Sequence, residues 1–133
     1  MPVIDPELTV QIDMDDPTPQ LGYPFAKQLL ARKKPFTALF AYNDISAIGA
    51  IRALQEQGFR VPQDVSVMGF DDIPGAAFNT PTLTTVRQPL ARMGQVAAQT
   101  LLERIAGRDD YPPEIAIEPE LVVRESTGKA PIA

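Results

Sequence analysis

Apolar and polar positions along this chain recur with two periods, and the switches between them delimit its elements. Leu8-Thr9-Val10-Gln11-Ile12 alternates with period two and predicts a short strand. The stretch from Asp13 to Gln20, carrying Asp15, Asp16, Pro17 and Pro19, breaks both patterns and predicts a loop. From Gly22 to Arg32 the apolar residues Phe25, Ala26, Leu29 and Leu30 fall at helical spacing. Phe36 to Tyr42 is a short apolar run after Pro35, as expected of a strand buried on both faces of a parallel sheet. Ile45 to Gln57 places Ala47, Ala50, Ile51 and Leu54 on one helical face, with Asn43 or Asp44 available as the N-cap and Gly58 as the left-handed stop. Val65 to Phe70 predicts a third strand. Ile73 to Pro81 predicts a loop with a turn of helix, and Leu83 to Val86 a further strand. Pro89 suits the first turn of a long helix to Ala106, which Gly107 ends, with Leu90, Met93, Ala97, Leu101 and Ile105 as its apolar stripe. After Pro112-Pro113, Glu114 to Ile117 and Glu120 to Arg124 predict two short closing strands.

Strand and helix alternating in this way define an α/β fold, a mainly parallel sheet flanked by helices and joined by right-handed crossovers. Ligands of such sheets bind beyond the C-terminal strand ends. Two of those ends carry the polar pairs Asn43-Asp44 and Asp71-Asp72. A turn or helix cap explains each pair by residue type alone. Their common position at strand ends favours a ligand site, and amide plus carboxylate suit vicinal hydroxyls, so a sugar or a nucleoside-like molecule fits better than an apolar one. Tyr42 and Phe70, each just before a polar pair, are expected in the core. Arg52, Arg60, Arg92 and Arg104 are read as solvated helix or turn charges.

Composition removes most alternatives. With 44% hydrophobic and 22% charged residues over 133 positions, the chain has the make-up of one ordinary globular domain or a part of one. Twelve basic residues against 17 acidic ones give a formal charge of −5, contrary to what contact with a phosphate backbone needs. The absence of both Cys and His excludes disulfides, thiolate or imidazole metal sites and the Ser-His-Asp and Cys-His arrangements. No Gly-rich phosphate loop is present, so an enzyme is not expected, and neither metal nor cofactor is. The N-terminus lacks the basic and apolar regions of a signal peptide, and no apolar run approaches membrane-spanning length, so the expected location is cytoplasmic.

The composite of Phe36 to Asp44, Ala47 to Ala50, Gly58 to Asp72, Pro81 to Pro89, Gly94, Leu101-Leu102 and Glu120 to Ser126 resembles the C-terminal half of lactose-repressor-type (LacI/GalR) transcription regulators. The resemblance covers essentially the whole chain in order. It implies a periplasmic-binding-protein-like fold of two α/β lobes with an effector in the cleft, a side-by-side homodimer, and operator binding through a separate N-terminal helix-turn-helix that this stretch does not include. On that comparison residues 1–87 belong to the second lobe, 88–107 to a helix packed in the first lobe, and 108–133 to C-terminal strands. Asn43 and Asp71 match effector-binding positions, Asp44 looks like the helix cap, and Pro17 stands where many members place an aromatic against the ligand. Ala26, Ala47, Ile48 and Ile51 are dimer-interface candidates, and Gln88-Pro89 an inter-lobe crossover. A carrier of the same fold, a solute-binding protein of sugar uptake, is the alternative; a signal peptide rather than a helix-turn-helix upstream would mark it.

One physical consequence follows. Without the first lobe, the stripe of the helix from Pro89 to Ala106 has no partner. Leaving such side chains wet forgoes roughly 1.5–3 kcal/mol each. The helix is therefore expected to be reburied, against its own sheet or across an oligomer.

Overall fold

The computed structural model describes residues 5–11, 22–108, 112 and 114–131. Helix α1 (Gly22–Ala31) leads to strand β1 (Ala38–Phe40), helix α2 (Asp44–Glu56) and strand β2 (Ser66–Met68). A short helix α3 (Pro74–Phe78), strand β3 (Thr85–Arg87), the long helix α4 (Leu90–Ile105) and strand β4 (Glu120–Val122) follow. β1 and β2 run parallel, Leu39 opposite Val67. Thr84 continues the parallel arrangement through a bridge to Met68. β3 and β4 pair antiparallel, with Arg87 opposite Glu120.

Two of the expected strands do not form among the described residues. Pro6–Leu8 forms a 3-10 turn capped by the Asp5 carboxylate, and Thr9 to Gln11 join no ladder with the described residues, because proline at the first position and a capping aspartate favour the turn. Glu114 to Ile117 is likewise outside any strand. The left-handed stops at Gly58 (φ 85°) and Gly107 (φ 79°) stand where the pattern put them.

The core forms beneath α2. Ile51, Leu54, Val65, Val67 and Leu83 are each at most 2% exposed, and each contributes about 1.5–3 kcal/mol on burial. The other face of α2 packs on α1 through small residues: Ala26 meets Ala50 and Ala53. The approach is so close that a Cβ on Gly22 would lie 1.8 Å from the Ser46 carbonyl oxygen, and one on Gly49 2.8 Å from the Tyr23 nitrogen.

α4 has no buried residue. Leu90, Leu101, Leu102 and Ile105 are between 60% and 76% exposed, so the helix is not reburied against its own sheet. A groove of about 470 Å³ lies between it and the segment carrying Ile115 and Ile117.

Candidate functional site

At the end of β1 the backbone turns into α2 through Asn43, extended at φ −151° and ψ 170°. Its Oδ1 accepts from the Ser46 amide at 2.8 Å, the geometry of an N-cap. Asn43, not Asp44, is therefore the cap, correcting that expectation. Capping occupies one side-chain oxygen, and no protein partner of the Nδ2 donors is seen among the described residues. Asp44 is drawn inward instead and is fully buried. Its amide donates to the Phe70 carbonyl at 2.8 Å. Its carboxylate accepts from the Thr85 hydroxyl and, at 2.8 Å, from the Ile73 amide. Asp44 thereby ties the loop after β1, the loop after β2 and β3 into one unit. Gly69 makes room for it, since a Cβ there would meet the Asp44 carboxylate at 2.3 Å.

At the end of β2 two consecutive residues adopt positive φ, Asp71 at 109° and Asp72 at 53°. Such conformations cost a non-glycine residue about 1–3 kcal/mol and persist only where the surroundings impose them. The surroundings do so here. The amides of Asp71, Asp72 and Ile73 donate in turn to the Val86 carbonyl (2.9 Å), the Thr85 hydroxyl (3.4 Å) and Asp44 (2.8 Å). The result sends the two aspartate side chains to opposite fates. Asp71 is exposed, and its Oδ1 accepts from Gln88 Nε2 at 2.8 Å.

The Asp72 side chain is only 9% exposed and binds two guanidinium groups, Arg124 at 2.7 Å and Arg87 at 2.6 Å. Arg87 also reaches Glu120 at 3.0 Å. Burial alone raises the Asp72 pKa, but the hydrogen bonds and charges of Arg124 and Arg87 outweigh it and hold the carboxyl below its ordinary value. Asp72 is thus a structural anion, and Asp71 the one offered outward.

The remaining expectations sort as follows. Asn43 and Asp71 come to one end of the sheet on loops joined by the Asp44–Phe70 hydrogen bond. Pro17 lies outside the described residues. Ala26, Ala47 and Ile51 are at most 3% exposed within the chain's own packing. They pack where α2 meets the core below it and α1 beside it. Ile48 alone of the four stays partly exposed. Gln88 and Pro89 form the two-residue link from β3 to α4. Tyr42 is 46% exposed and Phe70 partly buried, so neither is a core aromatic.

Arg87, Arg124 and Thr85 escaped the sequence reading. Their signal lay inside quoted motifs, as charged or hydroxyl residues at strand ends, but the pairing with Asp72 and Asp44 spans up to 52 positions. A larger cavity of about 520 Å³ lies between α1 and β1. Its walls are mostly apolar, among them Phe25, Leu29, Phe36 and Leu39, and it lacks the polar pairs.

Residues 5–127 match the family described as periplasmic binding protein-like domain, and the chain belongs to that family. Within it the relatives are regulators of the lactose-repressor type, as the motifs implied. The HTH-type transcriptional repressor PurR of Erwinia tasmaniensis is 43% identical over 97% of this chain. Among solved structures, a transcriptional regulator CelR–cellobiose complex is 39% identical with a TM-score of 0.76, over 84% of this chain and 34% of that one. The lac repressor dimer bound to operator and the anti-inducer ONPF is 33% identical, also with a TM-score of 0.76, over 81% of this chain and 37% of that one. The chain spans 37% of the length of the PurR relative. None of these relatives is an enzyme by its description, and no helix among the described residues is long and apolar enough to cross a membrane.

Proposed function

We propose that the chain is the effector-sensing and dimer-forming part of a lactose-repressor-type transcription regulator of the cytoplasm, and that Asn43 and Asp71 bind hydroxyls of a sugar or nucleoside-like effector. The observation that carries this reading is the presentation of a free amide donor and an outward carboxylate on two tied loops at the C-terminal end of parallel strands. The family relationship supports it, as does the cellobiose bound by one neighbour.

In this reading residues 1–87 form one wall of the site, and the rest of the full-length protein forms the other. Gln88 and Pro89 cross between lobes, and α4 packs in the other lobe, which accounts for its uncovered stripe. Effector closing the cleft selects one inter-lobe angle, and the homodimer transmits that angle to operator-binding heads elsewhere in the full-length protein. Coupling of this kind amounts to about 1–3 kcal/mol. Calorimetric titration of the full-length regulator with cellobiose and with inosine tests the site. Asn43→Ala and Asp71→Ala are expected each to weaken whichever binds by at least about tenfold, the loss of one charge-assisted or well-placed hydrogen bond. Undiminished binding in both variants refutes the assignment.

A further inference from the structure

Two features that draw anions stand at this end of the sheet, a helix N-terminus and a run of loop amides, and both are largely committed within the protein. The N-terminus of α2 ordinarily favours a phosphate group through its free amides and its dipole. Two of its first three amides are taken, Asp44's by the Phe70 carbonyl and Ser46's by Asn43 Oδ1, each at 2.8 Å. The Asp44 carboxylate also lies in that first turn as a resident negative charge. Successive amides in a turn make a second kind of anion concavity. In the loop after β2 the amides of Asp71, Asp72 and Ile73 point inward instead, to the Val86 carbonyl, the Thr85 hydroxyl and the Asp44 carboxylate. The guanidinium groups are committed as well. Arg124 and Arg87 divide the Asp72 carboxylate between them, and Arg87 also holds Glu120.

What remains outward has the opposite character. Among the described residues the Asp71 carboxylate meets the neutral amide of Gln88 and forms no ion pair. Asp44, fully buried, is held by neutral donors alone. Four carboxylates, Asp44, Asp71, Asp72 and Glu120, thus stand against two guanidinium groups, Arg87 and Arg124. The chain's formal charge of −5 adds the same sign at longer range. We propose that this wall of the site selects an uncharged, hydroxyl-bearing effector, a free sugar or nucleoside, and discriminates by charge against its phosphate ester. The inference rests on Asn43 and Asp71 being the effector contacts. A hydroxyl donates to the Asp71 carboxylate and accepts from the Asn43 amide. A phosphoryl group is repelled by the first, and both nearby guanidinium groups are already paired.

Calorimetric titration of the full-length regulator with matched pairs tests this, inosine against inosine monophosphate and cellobiose against its phosphate ester. At about 0.02 M salt the neutral member is expected to bind at least about tenfold more tightly than its ester. At about 0.5 M salt that ratio is expected to fall to about threefold or less, because the screening length contracts to a few ångströms. Asp71→Asn keeps the side-chain shape and one oxygen acceptor, and asparagine tolerates a positive φ. It is expected to bind the neutral member more weakly and to discriminate several-fold less. A ratio that salt or Asp71→Asn leaves unchanged reports shape rather than charge and overturns the proposal, as does an ester that binds as tightly as its neutral partner. If neither pair binds, the effector class is wrong and the proposal falls with it. The underlying reading fails separately. Undiminished binding of the neutral member by both Asn43→Ala and Asp71→Ala removes the site, whereas a tightly bound ester with both alanine variants impaired removes the charge selection alone.

Discussion

Replacement of Asp44 is the sharpest test of how this end of the sheet is built. The side chain is fully buried and takes two protein donors, the Thr85 hydroxyl and the Ile73 amide. Asp44→Ala strands both. Each buried donor left unpaired costs about 1–3 kcal/mol, and the threonine hydroxyl can turn to recover part of its share, so the loss comes to about 3 kcal/mol. Relief from burying a carboxylate works in the opposite direction and keeps the figure from the top of that range. Asp44→Asn retains an acceptor for the Ile73 amide and can donate to Thr85, but gives up the charge on both bonds; about 1–2 kcal/mol is expected. Stability for a chain of this size is on the order of 10 kcal/mol, so the alanine variant loses roughly a third of it. Urea unfolding followed by far-ultraviolet circular dichroism reads this as a midpoint lowered by about 1–2 M at unchanged slope. The reasoning is refuted if alanine costs less than about 0.5 kcal/mol, the ordinary size of a surface substitution, or if Asn and Ala are equivalent.

Three further outcomes follow from the same geometry. Asn43→Ser keeps an N-cap oxygen and is expected to unfold within a few tenths of a kcal/mol of the parent, whereas Asn43→Ala loses about 1 kcal/mol; both are expected to bind effector weakly, which chemical unfolding and calorimetry together separate. Asp72→Asn suits the left-handed backbone but gives up the charge facing Arg124, and about 2 kcal/mol is expected, between exposed and fully buried pairs. Because the folded Asp72 carboxyl titrates below its ordinary 3.8, its contribution is present above that pH and fades as pH falls through the lower folded value. The gap between parent and Asp72→Asn is therefore expected to be constant from pH 7 to 5 and to narrow below about 4; a gap that widens on acidification contradicts the sign. Gly22→Ala drives a methyl group to within 1.8 Å of the Ser46 carbonyl, and is expected to separate α1 from α2 with a loss of more than about 3 kcal/mol in thermal unfolding.

The parts of this structure legible in the sequence are those set by local pattern. α1, α2 and α4 lie within a residue or two of their apolar periodicity, because 3.6-residue spacing and the glycine stops are local signals. Strand ends were less legible. The apolar runs from Phe36 to Tyr42 and Val65 to Phe70 exceed the three ladder residues each supplies, since pairing rather than propensity decides where a ladder stops. Leu8 to Gln11, the described part of the alternating run, shows the same limit: alternation alone does not make a strand without a neighbouring strand to pair with. At the site, the location of both polar pairs was legible from strand–helix alternation. Which member of each pair faces inward was not. That choice is made by partners remote in sequence, Thr85 for Asp44 and Arg124 for Asp72, which no spacing rule brings together.

The two pairs resolve by the same logic. After β1 and after β2 the chain supplies one residue that is consumed by the fold and one left with capacity to spare. Asp44 and Asp72 are the consumed carboxylates, the first satisfied by neutral donors and the second by two guanidinium groups. A carboxylate committed in this way makes a poor ligand contact, because a new donor has to displace a partner already in place. Asn43 keeps an amide with no partner among the described residues and Asp71 an exposed carboxylate, and each sits on a backbone that its neighbour immobilises. If these two side chains bind a hydroxyl-bearing effector as proposed, it meets donors and acceptors whose ordering entropy was lost at folding, not at binding, which lowers the cost of association. The positive φ of Asp71 and Asp72 is held by the amides of residues 71 to 73, which donate to Val86, Thr85 and Asp44, and in that conformation the Asp71 carboxylate is exposed while Asp72 takes both guanidinium groups.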